Sequence, residues 1–259
     1  MRPGRTLSDI EQSERLPLAT RLAARRTYEL LRAAAETAPE QMALCCVLPV
    51  RQAHQSVWLT YRVLLGKLHQ TANLLADLGI GTQDVIALLL PDMLETHLLL
   101  CGGQTAGIVC PIHPATPLDQ VITLVRIVRA KVLVAPGPEV SQNLWYKAAL
   151  LRREVESIKV ILQVQGPGNE RDAIYAFDAL LADYQDSCFH AGREIAPDDI
   201  AIYFHTRNTA GASSFVPLTH GALLYAAWAI SLVTTLAPEE VLLRGLLRFF
   251  QGWWPVAGS

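Results

Sequence analysis

Apolar and polar positions alternate along this chain in blocks of two kinds, and the blocks take turns. The first periodic block, Ala19–Glu36, repeats at helical spacing and stops before Pro39. The short apolar run Met42–Leu48 that follows has strand length. From Thr60 and Tyr61 a clearer helix begins, with Leu64, Leu68, Ala72, Leu75 and Leu78 on one stripe. Gly79 stands where a left-handed helix end is favoured. Beyond the turn Gly81–Asp84, apolar runs at Val85–Leu90, Gly107–Ile112, Lys131–Ala135 and Ser157–Val164 predict strands. Between them Asp92–Thr105, Asp119–Arg129 and Val140–Glu156 predict helices. Strands buried on both faces and separated by helices of this length predict parallel pairing through crossovers, hence an α/β fold with a mostly parallel sheet flanked by helices.

The pattern then loosens. Gly166–Asp172 reads as a surface loop, Ala176–Tyr184 as a short helix and Asp186–Pro197 as irregular. Ile200–His205 reads as a strand, Thr206–Ser214 as a polar loop and Thr219–Thr235 as a helix. The stretch from Asn208 to Pro238 carries no Asp, Glu, Lys or Arg. Its apolar part, Ala222–Ala237, is shorter than the roughly 20 residues that cross a bilayer, so a buried helix is expected and no membrane span.

Composition narrows the function classes. A formal net charge of −2 gives no electrostatic reason to expect a nucleic-acid partner. Arg21, Arg25, Arg26 and Arg32 are the wet face of the first helix. The cysteines Cys45, Cys46, Cys101, Cys110 and Cys188 are odd in number and lack C-x-x-C spacing, which fits a reducing, cytoplasmic setting. The charged N-terminal residues do not form a secretion signal. His190, His205 and His220 show no ligand spacing, so no metal site is expected.

One stretch carries a family likeness. Leu59-Thr60-Tyr61, Asn73-Leu74-Leu75-Ala76, Leu78-Gly79-Ile80 and Asp84-Val85-Ile86-Ala87 leading to Leu90-Pro91 come first. Glu95, Ala106-Gly107, Pro111-Ile112-His113-Pro114 and Ala130-Lys131-Val132-Leu133-Val134 follow in order. Together they resemble the N-terminal portion of the AMP-dependent synthetase and ligase family, the adenylate-forming enzymes, most of all acyl-CoA synthetases. These residues are mainly structural and speak for fold more than for chemistry.

A second stretch, Asp198–Trp228, resembles that family's phosphate loop, a strand running into a Ser/Thr/Gly-rich turn that ends in Pro-Lys, then a Thr-His step and a helix. Tyr203–Thr206 matches the Tyr-Phe-His-Thr lead-in of fatty-acyl-CoA ligase-like members. Such a loop holds phosphates with backbone N–H groups and hydroxyls, and its glycines allow close approach. Thr206, Thr209 and Gly211 keep pattern positions. Arg207 and Asn208 stand where glycines are expected, Ala210 replaces a hydroxyl residue, and Ser213-Ser214 replace Pro-Lys. The resemblance therefore implies a cofactor-binding set of Thr206, Arg207, Asn208, Thr209 and Gly211, with no catalytic residue and no metal ligand that can be named.

The resemblance implies ATP and Mg2+ as cofactors, coenzyme A as acyl acceptor and a small-molecule carboxylic acid as substrate, as in fatty acid metabolism. It implies residues 1–259 to be an N-terminal AMP-binding domain cut short. Within it fall a helical lead-in at 1–40, an α/β subdomain at 60–165 and the phosphate-loop strand and helix at 198–235. By the same resemblance, the family's later acidic motif, hinge and C-terminal domain with its catalytic lysine are expected to have no counterpart in residues 1–259. Arg248–Pro255 departs from the family's step at that place, and its Trp253-Trp254 would be an exposed aromatic patch unless covered. Self-association through an incomplete core follows as an expectation. The function expected is that of an acyl-CoA synthetase-like fragment inactive alone, the alternative being a non-catalytic nucleotide-, acyl- or protein-binding remnant. A serine hydrolase built on Ser213 or Ser214 with His220 is the weakest reading, because the nucleophile elbow lacks its second glycine.

Overall fold

A computed structural model describes residues 24–47, 56–190, 195–207 and 213–234. The expectations for Ala19–Ala23, Leu48, Asn208, Thr209, Gly211 and Trp253-Trp254 lie outside those residues.

The first helix, α1, spans Thr27–Thr37, and the strand β1 at Met42–Val47 pairs antiparallel with β2 at Ser56–Thr60. Sequence periodicity did not reveal β2, whose five residues are too few to establish an alternation. Helix α2 covers Tyr61–Asp77, and its start is fixed by Thr60, whose hydroxyl accepts from the Val63 N–H at 3.3 Å. Its end is set by Gly79 at φ +81°, the left-handed conformation that a side chain would strain. The predicted stripe is the buried one: Leu64, Leu68, Ala72 and Leu75 face the core.

The main sheet is then laid down by β3 (Val85–Leu88), β4 (Ile108–Pro111), β5 (Val132–Pro136) and β6 (Val160–Val164). The crossover helices are α3 (Leu94–Ala106), α4 (Leu118–Val128) and α5 (Gln142–Glu154). After β6 come β7 (Ile174–Ala176), α6 (Phe177–Leu181), β8 (Ile200–Arg207), β9 (Ser213–Thr219) and α7 (His220–Thr234). The sheet has seven strands in the order β7-β6-β5-β3-β4-β8-β9, all parallel except β9. The expected mostly parallel α/β fold is what the chain forms. Strands β7 and β9 are additions at its two edges, and β9 corrects the expectation of a loop running to Ser214. Pro217 obscures β9 in the sequence, yet it is tolerated because an edge strand can spare one N–H.

Core residues lie on both sides of the sheet. One cluster packs Leu74, Ile86, Leu99, Val109, Leu162 and Phe177 together, and the other packs Ala87, Cys110, Val125, Leu133, Leu151 and Ile161. Each fully buried leucine or isoleucine contributes about 1.5–3 kcal/mol. Close approach of α3 to β4 depends on Gly103, where a Cβ would meet Val109 Cγ2 at 2.6 Å. Burial pushes the Cys110 thiol up to about 12, so it behaves as a small core hydrophobe. Among the described residues no helix is long and apolar enough to cross a membrane.

Candidate functional site

The chain runs from β3 to β4 on one side, then crosses β3 to reach β5 and β6 on the other. Ligands of open α/β sheets bind at the carboxyl ends of the strands, next to such reversals. Because β8 is parallel to β4, its carboxyl end at Arg207 opens on this same edge. Residues 208–212 connect β8 to β9, which pair antiparallel from the pair Arg207–Ser213 to the pair Ile200–Thr219, with a register shift between Ile200 and Ile202.

The register places the predicted residues individually. Thr206 pairs with Ser214 and Arg207 with Ser213, so Arg207 continues the ladder instead of taking the left-handed turn a glycine would allow. Thr206 is exposed, and its hydroxyl donates to the Ser214 carbonyl at 3.5 Å. Thus two of the five predicted residues, Thr206 and Arg207, sit at the mouth of the hairpin. The sequence left His113 among structural residues, but the structure carries it to the same edge just beyond β4, where it is exposed. Its Nδ1 accepts from the Ala115 N–H at 3.2 Å. The signal that could have found it is its place directly after a parallel strand.

One cation near this edge, Lys147, is already engaged. Lys147 Nζ donates to the Pro114 carbonyl at 3.0 Å and the Thr116 carbonyl at 2.8 Å, so it braces the turn after β4. Glu95, in the first turn of α3, accepts from Gln165 Nε2 at 3.0 Å, and Gln165 N–H donates to Asp178 at 2.7 Å. These bonds tie the first turns of α3 and α6 to the residue that follows β6. Among the described residues no group of three or more His, Cys, Asp and Glu could hold a metal ion.

His220 lies at the other end of β9, some 20 Å from the hairpin mouth at strand rise. It is 1% exposed, and its Nδ1 is 3.1 Å from the Thr27 hydroxyl. Thr219 caps α7 by accepting from the Ala222 N–H at 3.1 Å. Burial first, with help from the Arg26 guanidinium and against the Asp199 carboxylate, pushes the His220 pKa down to about 4. It is a neutral packing histidine joining α1 to α7. The span of β9 keeps it away from Ser214, so the hydrolase arrangement does not exist. A small cavity of about 110 Å³ beside it is lined by Arg26, Tyr28, Gln104, Thr105, Phe189 and Ile195.

A polar clamp on α2 fixes the approach to β8. His69 Nδ1 lies 2.8 Å from the Asp186 carbonyl, and Gln70 Nε2 donates to the Tyr184 carbonyl at 2.8 Å. Asn73 donates to the Cys188 carbonyl at 2.9 Å and accepts from the His190 N–H at 2.9 Å. The irregular stretch predicted from Asp186 is therefore held by side chains in place of a ladder.

A groove of about 710 Å³ at the amino ends of β5 and β6 is lined by Arg126, Arg129, Lys131 and Lys159 with Glu154 and Glu156. Lys131 pairs with Asp84 at 2.7 Å and Arg126 with Glu154 at 3.8 Å, so the charges there are largely balanced.

Comparison with known proteins shows the family and the fold. The model of the AMP-binding enzyme family matches residues 31–247. A marinolic acid–CoA ligase from Pseudoalteromonas sp. (strain SANK 73390) is 27% identical over 225 residues, covering 86% of this chain and 34% of the relative. An acyl-CoA synthetase structure from Brucella canis superposes with a TM-score of 0.69 at 22% identity, over 90% of this chain and 42% of that one. A long-chain-fatty-acid-CoA ligase from Archaeoglobus fulgidus gives 0.68 at 16% identity, over 81% and 39%. The chain thus spans about a third of the length of the curated relative and about two fifths of these structures.

Proposed function

The chain belongs to the AMP-binding enzyme family, and from that premise we propose that it supplies the phosphate-loop part of an acyl-CoA synthetase-like, adenylate-forming site. The observation that carries this reading is the β8–β9 hairpin opening at the carboxyl edge of the parallel sheet, with Thr206 and Ser214 paired at its mouth. In the reaction proposed, a carboxylate oxygen attacks the α-phosphorus of Mg-ATP, and pyrophosphate leaves. The thiol of coenzyme A then takes the acyl group and AMP departs. Positioning and charge stabilisation dominate such chemistry.

The donor set fits ATP phosphates in part. Thr206 and Ser214 place two hydroxyl residues at the mouth of the hairpin, and the sequence Arg207–Gly211 carries the remaining residues of the proposed set. A lysine is missing at position 214, where the resemblance expects one. Strand pairing runs as far as Arg207 and Ser213, which leaves little chain to wrap a triphosphate. These features favour weak ATP binding and, for the chain on its own, little or no turnover. The second reading, a non-catalytic binding remnant, draws on the same ladder.

Exchange of labelled pyrophosphate into ATP tests the activity. Purified protein given Mg-ATP and a panel of short- to long-chain carboxylic acids is expected to show no exchange above the acid-free control. Clear carboxylate-dependent exchange would overturn the inactive reading and establish an adenylating enzyme in this chain alone.

A further inference from the structure

Helix α7 is apolar on every side, and its sequence, HGALLYAAWAISLVT, contains no charged side chain. A helix of that composition belongs inside a protein. Yet among its described side chains, those of residues 220–231, only His220 and Leu224 are buried, through β9 on one side and the Thr27–His220 contact with α1 on another. Ala222, Tyr225 and Ser231 are exposed, Tyr225 by 41%. The Tyr225 and Trp228 rings lie side by side with centroids 5.8 Å apart, leaving an aromatic ledge open on one face.

Its occupant is named by the chain that follows. Residues 235–240 connect α7 to Val241, and a tether of that length reaches at most about 20 Å when fully extended. Helix α7 is itself about 22 Å long at helical rise. The tether therefore keeps Val241 within that reach of the end of α7. The stretch it opens, Val241–Trp254, carries only Arg244 and Arg248 as charges among Leu243, Leu247, Phe249, Phe250, Trp253 and Trp254. An uncharged apolar ledge selects such a segment by burial alone, since it offers no charge to attract another partner.

We propose that the exposed face of α7 is the docking surface for Val241–Trp254 of the same chain. The aromatic residues of that segment cover the Tyr225–Trp228 ledge and bury the part of it that is exposed. This arrangement is independent of whether ATP binds at the hairpin.

Photo-crosslinking of the full-length chain tests the docking. A benzophenone amino acid is placed at Tyr225 in one variant and at the exposed Ala222 in another, in case the first does not fold. Mixtures of light and heavy-isotope chains separate crosslinks within a chain from those between chains. The tether sets a millimolar local concentration, so at micromolar protein crosslinks within the chain to Val241–Trp254 are expected to exceed those between chains by about 100-fold. Mixed-isotope crosslinks as the main product would mean that a second copy covers α7. That result would overturn the proposal, as would crosslinks elsewhere in the chain or none at all.

Discussion

Phe177→Ala is expected to lower the folding stability by about 3–5 kcal/mol, a large share of the roughly 5–15 kcal/mol typical of a domain. Phe177 is fully buried at the first position of α6, where it packs into the core cluster that contains Leu162, Val164 and Leu181. Truncation removes the ring's transfer energy and leaves a cavity that the strands β6 and β7 cannot close without shifting. The damage should spread to the Tyr184–His190 stretch, because α6 leads directly into it. Urea titrations would show the midpoint falling with little change in slope. As a control, Tyr146→Ala at a position 63% exposed should stay within about 0.5 kcal/mol of the parent. A loss below about 1 kcal/mol for Phe177→Ala would mean that this corner of the core is not packed as described.

Acid is expected to weaken the fold through His220. Its pKa is pushed down to about 4 in the folded chain by burial, with Arg26 adding to the effect and Asp199 opposing it. In the unfolded chain a histidine titrates near 6.5. The folded state therefore favours the neutral ring, and this contribution is fully present above pH 6.5. It is lost as pH falls from 6.5 toward 4, because the unfolded chain takes up the proton first. The total over that window is about 3 kcal/mol. His220→Gln removes the titration, so its stability should fall less steeply across the same range. Denaturant melts of both proteins at pH 7 and pH 4.5 measure the difference, and parallel losses would contradict a neutral buried His220.

Where the sequence and the structure agree, the reason is periodicity. The stripe Leu64–Leu75 on α2 and the apolar runs at β3, β4, β5 and β6 were readable because each buries a whole face or both faces. Gly79 was readable because a helix end that turns left-handed favours glycine. Three strands escaped detection for different physical reasons. β2 and β7 are short, and β9 mixes Ser213, Ser214 and Pro217 into a strand at the edge of the described sheet. The clamp of His69, Gln70 and Asn73 could not be read at all, since its partners are main-chain groups more than 100 residues away.

Of the proposed site, the strand that leads into it is readable in the sequence and the edge strand that returns from it is not. Thr206 was legible from its lead-in, and the structure sets it at the carboxyl edge with Arg207 beside it. The bond between His220 and Thr27 joins residues distant in sequence, and neither residue type announces it. His113 reaches the same edge through the parallel register of β4 and β8, which only the topology reveals.

Titration of isotope-labelled protein with ATP, followed by amide NMR, tests the central claim most directly. ATP is expected to move the resonances of residues 205–215 alone, with a Kd near about 1 mM. The Ser214→Lys variant should bind about tenfold tighter, as one added charge-assisted contact would give. Shifts confined instead to the groove of Arg126, Arg129 and Lys159, or no shift at several millimolar ATP, would contradict a phosphate site at the β8–β9 hairpin.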